Sequence, residues 1–142
     1  MSEIVLELKH RQAIARHGEA FYPQESRGLL LGNRNGAVRQ VEDLVVIDAP
    51  LASAAQGDRY HIPSQEMQEA AERARAKQLE IIGSFHSHAD HPARPSIHDR
   101  ERADPEFSYV LVGIRQGRAH ELTAWRLSED RNAFLQEILR AS

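Results

Sequence analysis

The chain has 142 residues, a net charge of −3 at pH 7 and no cysteine; 41% of its residues are hydrophobic and 27% charged. This length suits one domain, 1–142, able to bury roughly 70% of the surface of the unfolded chain. The composition excludes disulfides, a thiolate nucleophile and every zinc site built on sulfur. With no basic block and no apolar run near the about 18 residues of a membrane span, it also argues against nucleic-acid or membrane partners. The start, MSEIVLELKH, has no basic segment leading into an apolar one, so a cytoplasmic location is expected.

In chain order, residues 3–8 read as a short strand. Residues 9–21 read as a helix with Ile14, His17 or Gly18, and Phe21 on one side. The segment 25-ESRGLLLG-32 runs into NRNG, whose Asn35-Gly36 pair signals a hairpin with a return strand over 37–47. Residues 48–58 are rich in small and turn-forming types and are expected to be a loop, followed by a short strand over 59–62. The Ala-, Glu-, Arg- and Gln-rich stretch 63–79 predicts a helix opened by Pro63 or Ser64. A strand over 80–85 is then expected, with Ile81 and Ile82 as its apolar body, leading into a His-rich loop. A short helix over 97–103 and strands over 108–114 and 119–127 follow. The chain is expected to close with a helix over 128–141, capped by Ser128 and striped by Phe134, Leu135, Ile138 and Leu139. Strands joined by hairpins and mixed with helices predict an α/β (α+β) layer fold, a single mixed sheet, partly curved, flanked by helices.

The chemistry concentrates in 83-GSFHSHADHPARPSIHD-99, which holds four of the eight histidines. His86 and His88 are two residues apart at the end of a strand, so their side chains share a face with Cα atoms roughly 6–7 Å apart. Two imidazoles so placed can converge on one ion, and Asp99 could add a third ligand, leaving a fourth tetrahedral position for water. Each piece also has a plainer explanation. Ser96-Ile97-His98-Asp99 has the form of a capping box that only starts the helix at 97. His91 and His98 read as solvated loop residues, His61 and His120 as structural histidines on strands, and His10 and His17 carry no signal.

Taken together, the stretch resembles the signature of the JAMM (MPN-plus) zinc metalloprotease family: His-x-His, seven residues, Ser, two residues, Asp. Here it reads His86-Ser87-His88, ADHPARP, Ser96, Ile97-His98, Asp99. The family's upstream Pro-x-Glu-x-x-Gly-x-Leu-x-Gly context is matched by 23-PQESRGLLLG-32, which puts Glu25 in the glutamate's place. The segments RYHIPSQE, IIGSFHSH, SYVLVGI and AHELTAWRL extend the likeness over nearly the whole chain. Two positions depart from the pattern. Arg27 stands where relatives usually have Cys or Met, and Ala89 where they usually have Pro.

The resemblance implies a small prokaryotic JAB-type member with the JAMM/MPN fold, related in general architecture to cytidine deaminases. It implies one catalytic zinc held by His86, His88 and Asp99, with Glu25 as general base and Ser96 as oxyanion stabiliser. It further implies hydrolysis of a peptide or isopeptide bond after the C-terminal Gly-Gly of a ubiquitin-like sulfur-carrier protein. The oligomeric state is left open, a dimer included. Other zinc and serine hydrolases fit poorly. Deaminases need Pro-Cys-x-x-Cys, gluzincins need His-Glu-x-x-His where this chain offers only HELTA, and no Gly-x-Ser-x-Gly is present. The rival of a different class is a catalytically silent MPN-like scaffold, which would usually have lost one of these five residues.

Overall fold

The computed structural model describes residues 2–47 and 64–141. Its elements, in order, are β1 (Glu3–Val5), α1 (Leu8–Phe21), β2 (Arg27–Asn35), β3 (Val38–Ile47), α2 (Ser64–Ala76), β4 (Glu80–Ala89), α3 (Ile97–Arg102), β5 (Ser108–Arg115), β6 (Arg118–Leu127), β7 (Phe134–Gln136) and β8 (Ile138–Arg140). The expected loop over 48–58 and strand over 59–62 lie outside the described residues. No helix among the described residues is long and apolar enough to cross a membrane.

The β2–β3 hairpin forms where the turn signal places it. Asn35 pairs with Val38 across a two-residue turn, and Gly36 takes φ +62°, a conformation open to a residue without Cβ. The helix α1 buries His10, Ile14 and Gly18, a stripe with the four-residue spacing of one helical face. It packs against β3, β4, β5 and β6, whereas α2 packs against β2 and β4. The α2 helix buries Ala70 and Ala74 and ends where Gln78, at φ 61°, turns the chain so that Leu79 N–H donates to Ala74 O at 2.7 Å.

One mixed sheet runs in the order β7-β6-β5-β4-β2-β3-β1-β8. The β4–β5, β1–β3 and β1–β8 pairs are parallel, the others antiparallel. Its two edge strands are consecutive in the chain, separated only by Glu137. The stretch 134–140 therefore pairs with β6 through its first half and with β1 through its second, and this curls the sheet back on itself. The core inside includes Ile4, Leu6, Ile14, Leu30, Val41, Ile82, Phe85, Val110 and Val112. Each such side chain contributes about 1.5–3 kcal/mol of burial free energy.

Three expectations need correction. The first strand ends at Val5, not at residue 8, because α1 already begins at Leu8. The strand expected over 80–85 continues to Ala89, so the histidine pair belongs to β4 and not to a loop. Its parallel pairing with β5 runs through Ala89↔Ile114 and supplies the backbone partners. The terminal helix over 128–141 is absent; a turn and the strands β7 and β8 take its place. Ser128 does not cap a helix. Its Oγ donates to Asp130 Oδ1 at 2.6 Å and accepts from Ala133 N–H, and Arg131 sits at φ 61°. Two residues of the supposed apolar stripe, Leu135 and Ile138, are 57% and 42% exposed. The unpaired backbone groups of β6 and β1 recruit this segment, and sheet edges of that kind favour any strand able to cover them over a locally preferred helix.

Candidate metal centre and its cleft

The antiparallel pairing of β2 with β4 brings the Glu25 segment to the histidines. Arg27 lies opposite His86 and Gly28 opposite Phe85. Just beyond the ladder, Ser87 N–H donates to Ser26 O at 3.0 Å, and Ser26 N–H donates to Ser87 Oγ at 2.8 Å. The glycine three residues after Glu25 has a steric reason. A Cβ at Gly28 would stand 2.2 Å from Phe85 Cζ and 2.5 Å from Val45 O, so a side chain there would displace the Phe85 ring of β4 and push β2 from the backbone of β3. Arg27, one of the two departures from the family pattern, is buried at 6% exposure beside this register.

Phe85 and Ser87 face α1: the Phe85 ring is 6.2 Å from that of His17, and Ser87 lies against Gly18. Strand alternation turns His86 and His88 to the opposite face. Their ring centroids are 5.1 Å apart, and both residues are 2% exposed. His88 Nδ1 lies 2.7 Å from Pro92 O. A carbonyl only accepts, so Nδ1 carries the proton of neutral His88 and Nε2 keeps its lone pair for another bond. Glu25 Oε2 accepts from Ala89 N–H at 3.3 Å and lies 3.5 Å from His91 Nε2.

Ser96 and Asp99 form a complete capping box at the start of α3. Asp99 N–H donates to Ser96 Oγ at 3.2 Å, and Ser96 N–H donates to Asp99 Oδ2 at 2.6 Å. Asp99 is nonetheless 2% exposed, and capping engages one of its two oxygens. The structure thus joins the expected residues pairwise: His86 with His88, Glu25 with the end of β4, and Ser96 with Asp99. Among the described residues, no three His, Asp or Glu side chains close on one point as a metal site does. By type the donors fit zinc: two imidazoles, one with its Nε2 lone pair fixed by the hydrogen bond at Nδ1, and a buried carboxylate, in a chain without thiols.

His91, expected to be a solvated bystander, is half-exposed but belongs to the site. Its ring stacks on His88 at 5.4 Å and its Nε2 faces Glu25. Asp90 adopts φ 61° and turns the chain back, so a residue three beyond His88 returns to the same side. The sequence does contain the signal, an Asp and a Pro flanking His91. Asp90 is itself pinned: its carboxylate accepts from Tyr22 OH at 2.6 Å and Gln116 N–H at 2.9 Å, and these bonds hold its pKa below the ordinary carboxylate range. His120 is an exposed residue of β6, as a structural histidine allows; His61 lies outside the described residues.

Trp125 and Thr123 of β6 also escaped sequence reasoning, which saw them only as strand residues. Trp125 Nε1 donates to Thr123 Oγ1 at 2.8 Å, and Thr123 Oγ1 donates to Ala93 O at 2.6 Å. This relay ties the 90–96 segment to β6. Beneath that segment lies a cleft of about 480 Å³ whose walls include His91, Arg94, Arg115, Glu121 and Trp125.

The model of prokaryotic homologs of the JAB domain matches residues 7–128. No curated protein matches the chain. Among solved structures, a Salinibacter ruber protein determined in solution is 35% identical, with a TM-score of 0.71 over 97% of this chain and 90% of its own. A Desulfitobacterium hafniense protein is 28% identical, with a TM-score of 0.75 over 96% and 90%. A JAB1/MPN domain protein from Archaeoglobus fulgidus shares the fold at 15% identity, with a TM-score of 0.52 over 98% and 96%. The match over residues 7–128 and the curled mixed sheet flanked by helices together show that the chain belongs to the prokaryotic JAB domain family.

Proposed function

We propose that this chain is a cytoplasmic zinc metallopeptidase that hydrolyses a peptide or isopeptide bond after the C-terminal Gly-Gly of a ubiquitin-like sulfur-carrier protein. The observation that carries the reading is the delivery of Glu25 to the strand end bearing His86 and His88, with Oε2 at 3.3 Å from Ala89 N–H. His86, His88 and Asp99 would hold the zinc. When bound, zinc supplies a Lewis acid and a water acidic enough to lose its proton near neutral pH.

The remaining work falls to the chain. Glu25, at 15% side-chain exposure and anchored by a backbone N–H, takes a proton from water at a carboxylate oxygen and returns it to the leaving amine. Pro92 O holds His88 in one tautomer through Nδ1. Ser96 Oγ accepts from Asp99 N–H, which leaves its hydroxyl proton to donate to the oxygen of the attacked carbonyl. A Gly-Gly tail suits such a site because a chain without side chains can lie extended against strands.

The silent-scaffold reading draws on the lack, among the described residues, of three side chains closing on one point. Zinc content separates the two. The peptidase reading expects about one zinc per purified chain, lost in His86→Ala and in Asp99→Ala. It also expects cleavage of a carrier protein extended beyond Gly-Gly, read by mass spectrometry and abolished in Glu25→Ala. A wild-type chain without zinc, or undiminished cleavage by Glu25→Ala, would sink it.

A further inference from the structure

We infer that Arg131 is a positioning residue for Asp99: its guanidinium clamps the end of α3 and so fixes where the Asp99 carboxylate stands. This rests on the reading of Asp99 as a zinc ligand. It adds a residue that touches neither metal nor substrate.

The need for a clamp comes from α3 itself. The helix has six residues, a length of ~9 Å. A helix this short closes few hydrogen bonds of its own, so outside partners must hold it. The helices α1 and α2 lie against several strands, whereas α3 has no such extended packing among the described residues. Asp99 in its first turn and Ala103 just past its last are buried, at 2% and 3% exposure. Ala103 offers only a methyl group, packed in a small cluster with Tyr109 and Leu127. Apolar contact of that kind has no direction and does not set how the helix is rotated.

Arg131 supplies the direction. Its Nη1 donates to Ala103 O at 2.9 Å, and its Nη2 donates to Arg100 O at 3.1 Å and to Glu101 O at 3.2 Å. Carbonyls at this end of a helix lack partners within it, and a cation there also suits the helix dipole. Asp99 O is the carbonyl just before these, and it accepts from Ala103 N–H at 3.1 Å. A rigid planar fork cannot keep all three carbonyls if the helix turns about its axis. Arg100 returns the contact, with Nη1 donating to Asn132 O.

The clamp stands on a firm base. Arg131 takes φ 61° in the turn between β6 and β7, where a terminal helix was expected. Ser128 N–H donates to Ala133 O at 2.8 Å, and Arg131 N–H donates to Ser128 O at 2.9 Å. Asp130 Oδ1 accepts from Ser128 Oγ at 2.6 Å and from Asn132 N–H at 3.0 Å. Leu127 and Phe134, on either side of the turn, pack in the same cluster as Ala103. At the other end of α3 the capping box ties Ser96 to Asp99. A shift of the helix would therefore move the carboxylate and the hydroxyl together.

The test uses the full chain in three variants. Arg131→Met removes the donors and keeps the stem, and Arg131→Lys keeps the charge without the fork. Arg140→Met removes an exposed arginine of β8 that pairs with Glu3. Zinc affinity is read by competition with a chelator, and amide hydrogen exchange is read in the metal-free chain. Arg131→Met is expected to weaken zinc by about 10–100-fold, the scale for groups that orient a metal ligand. It should also speed exchange at Asp99 and Ala103 while β5 and the melting temperature stay close to wild type. Arg131→Lys should recover part of both losses, and Arg140→Met should cause neither. Unchanged exchange in Arg131→Met would overturn the clamp. A loss of zinc that tracks a general loss of protection, or an equal loss in Arg140→Met, would overturn the positioning role. Zinc held equally by wild type and Arg131→Met refutes this inference alone. A wild-type chain that binds no zinc refutes the peptidase reading, and faster exchange at Asp99 in Arg131→Met would still support the clamp.

Discussion

The fold buries polar and charged side chains at the candidate centre and at the sheet seam, and it treats the two differently. Around the candidate centre, His88 at the end of β4 and Asp99 at the start of α3 are each fixed by a backbone group, Pro92 O for one and Ser96 N–H for the other. At the seam where the sheet curls closed, Arg39 and Glu137 are 5% and 4% exposed. Arg39 Nη1 donates to Ser108 Oγ at 2.6 Å, but neither carboxylate oxygen of Glu137 has a hydrogen-bond partner among the described residues. Burial, then the charge of Arg126, lowers the Arg39 pKa, and the charge of Glu137 works in the opposite direction. A buried group held by directed hydrogen bonds has one orientation, which chemistry requires. A buried charge balanced through space needs only the right sign nearby, which suffices to hold two sheet edges together.

Asp99 tests the first region and gives the largest effect. Asparagine keeps a side-chain oxygen for Ser96 N–H but loses the negative charge; alanine loses both. On the proposed reading, both variants lose zinc, and activity falls by more than the about 10–100-fold typical of mutating a group behind a metal ligand. Thermal unfolding should separate them in the metal-free state. Asp99→Asn should match wild type, while Asp99→Ala should lose about 1 kcal/mol with the cap. If Asp99→Asn retains zinc and activity, the residue is a cap alone.

Glu137 tests the seam. Glu137→Ala leaves Arg39 buried and uncompensated, at an expected cost of about 3 kcal/mol in chemical denaturation. The double variant Arg39→Met/Glu137→Leu removes both charges and should return to within about 1 kcal/mol of wild type. Zinc content should change in neither. If the single variant is harmless, the two side chains do not compensate each other, and the contrast between the regions fails.

The features legible in the sequence are those set by local spacing. The Asn35-Gly36 turn, the apolar face of α1, the alanine-rich α2 and the Ser96–Asp99 box each follow from residues within one or two turns of one another. The histidine pair was found for the same reason, since i and i+2 on a strand share a face wherever the strand lies. Apart from the early end of β1, set by the start of α1 at Leu8, the errors have distant causes. The length of β4 depends on β5, the fate of 134–140 depends on the bare edges of β6 and β1, and Trp125 matters because Ala93 lies above it. His91 falls between these cases. Its turn is local, but its meaning comes from Glu25, 66 positions earlier in the sequence, which only the β2–β4 register brings near.

Tyr22 supplies the smallest and most specific test, because its bond to Asp90 fixes the turn that returns His91 to the site. That bond holds the Asp90 carboxyl below its usual range and raises the pKa of the Tyr22 hydroxyl. For Asp90 the folded pKa is depressed, so its contribution to stability is present above the unfolded value of about 3.9 and is lost as pH falls through the folded one. For Tyr22 the folded pKa is raised, so its contribution is present below about 10 and is lost as pH rises through the folded value. Tyr22→Phe should therefore melt slightly below wild type at neutral pH, and the two melting curves should merge at both extremes. Asp90 is exposed and Tyr22 only partly buried, so the gap should be small and should respond little to zinc. A gap that persists unchanged in acid would mean that the tyrosine acts through packing and not through Asp90. A fall in activity at neutral pH larger than the change in melting temperature explains would tie the turn to the placement of His91 beside Glu25.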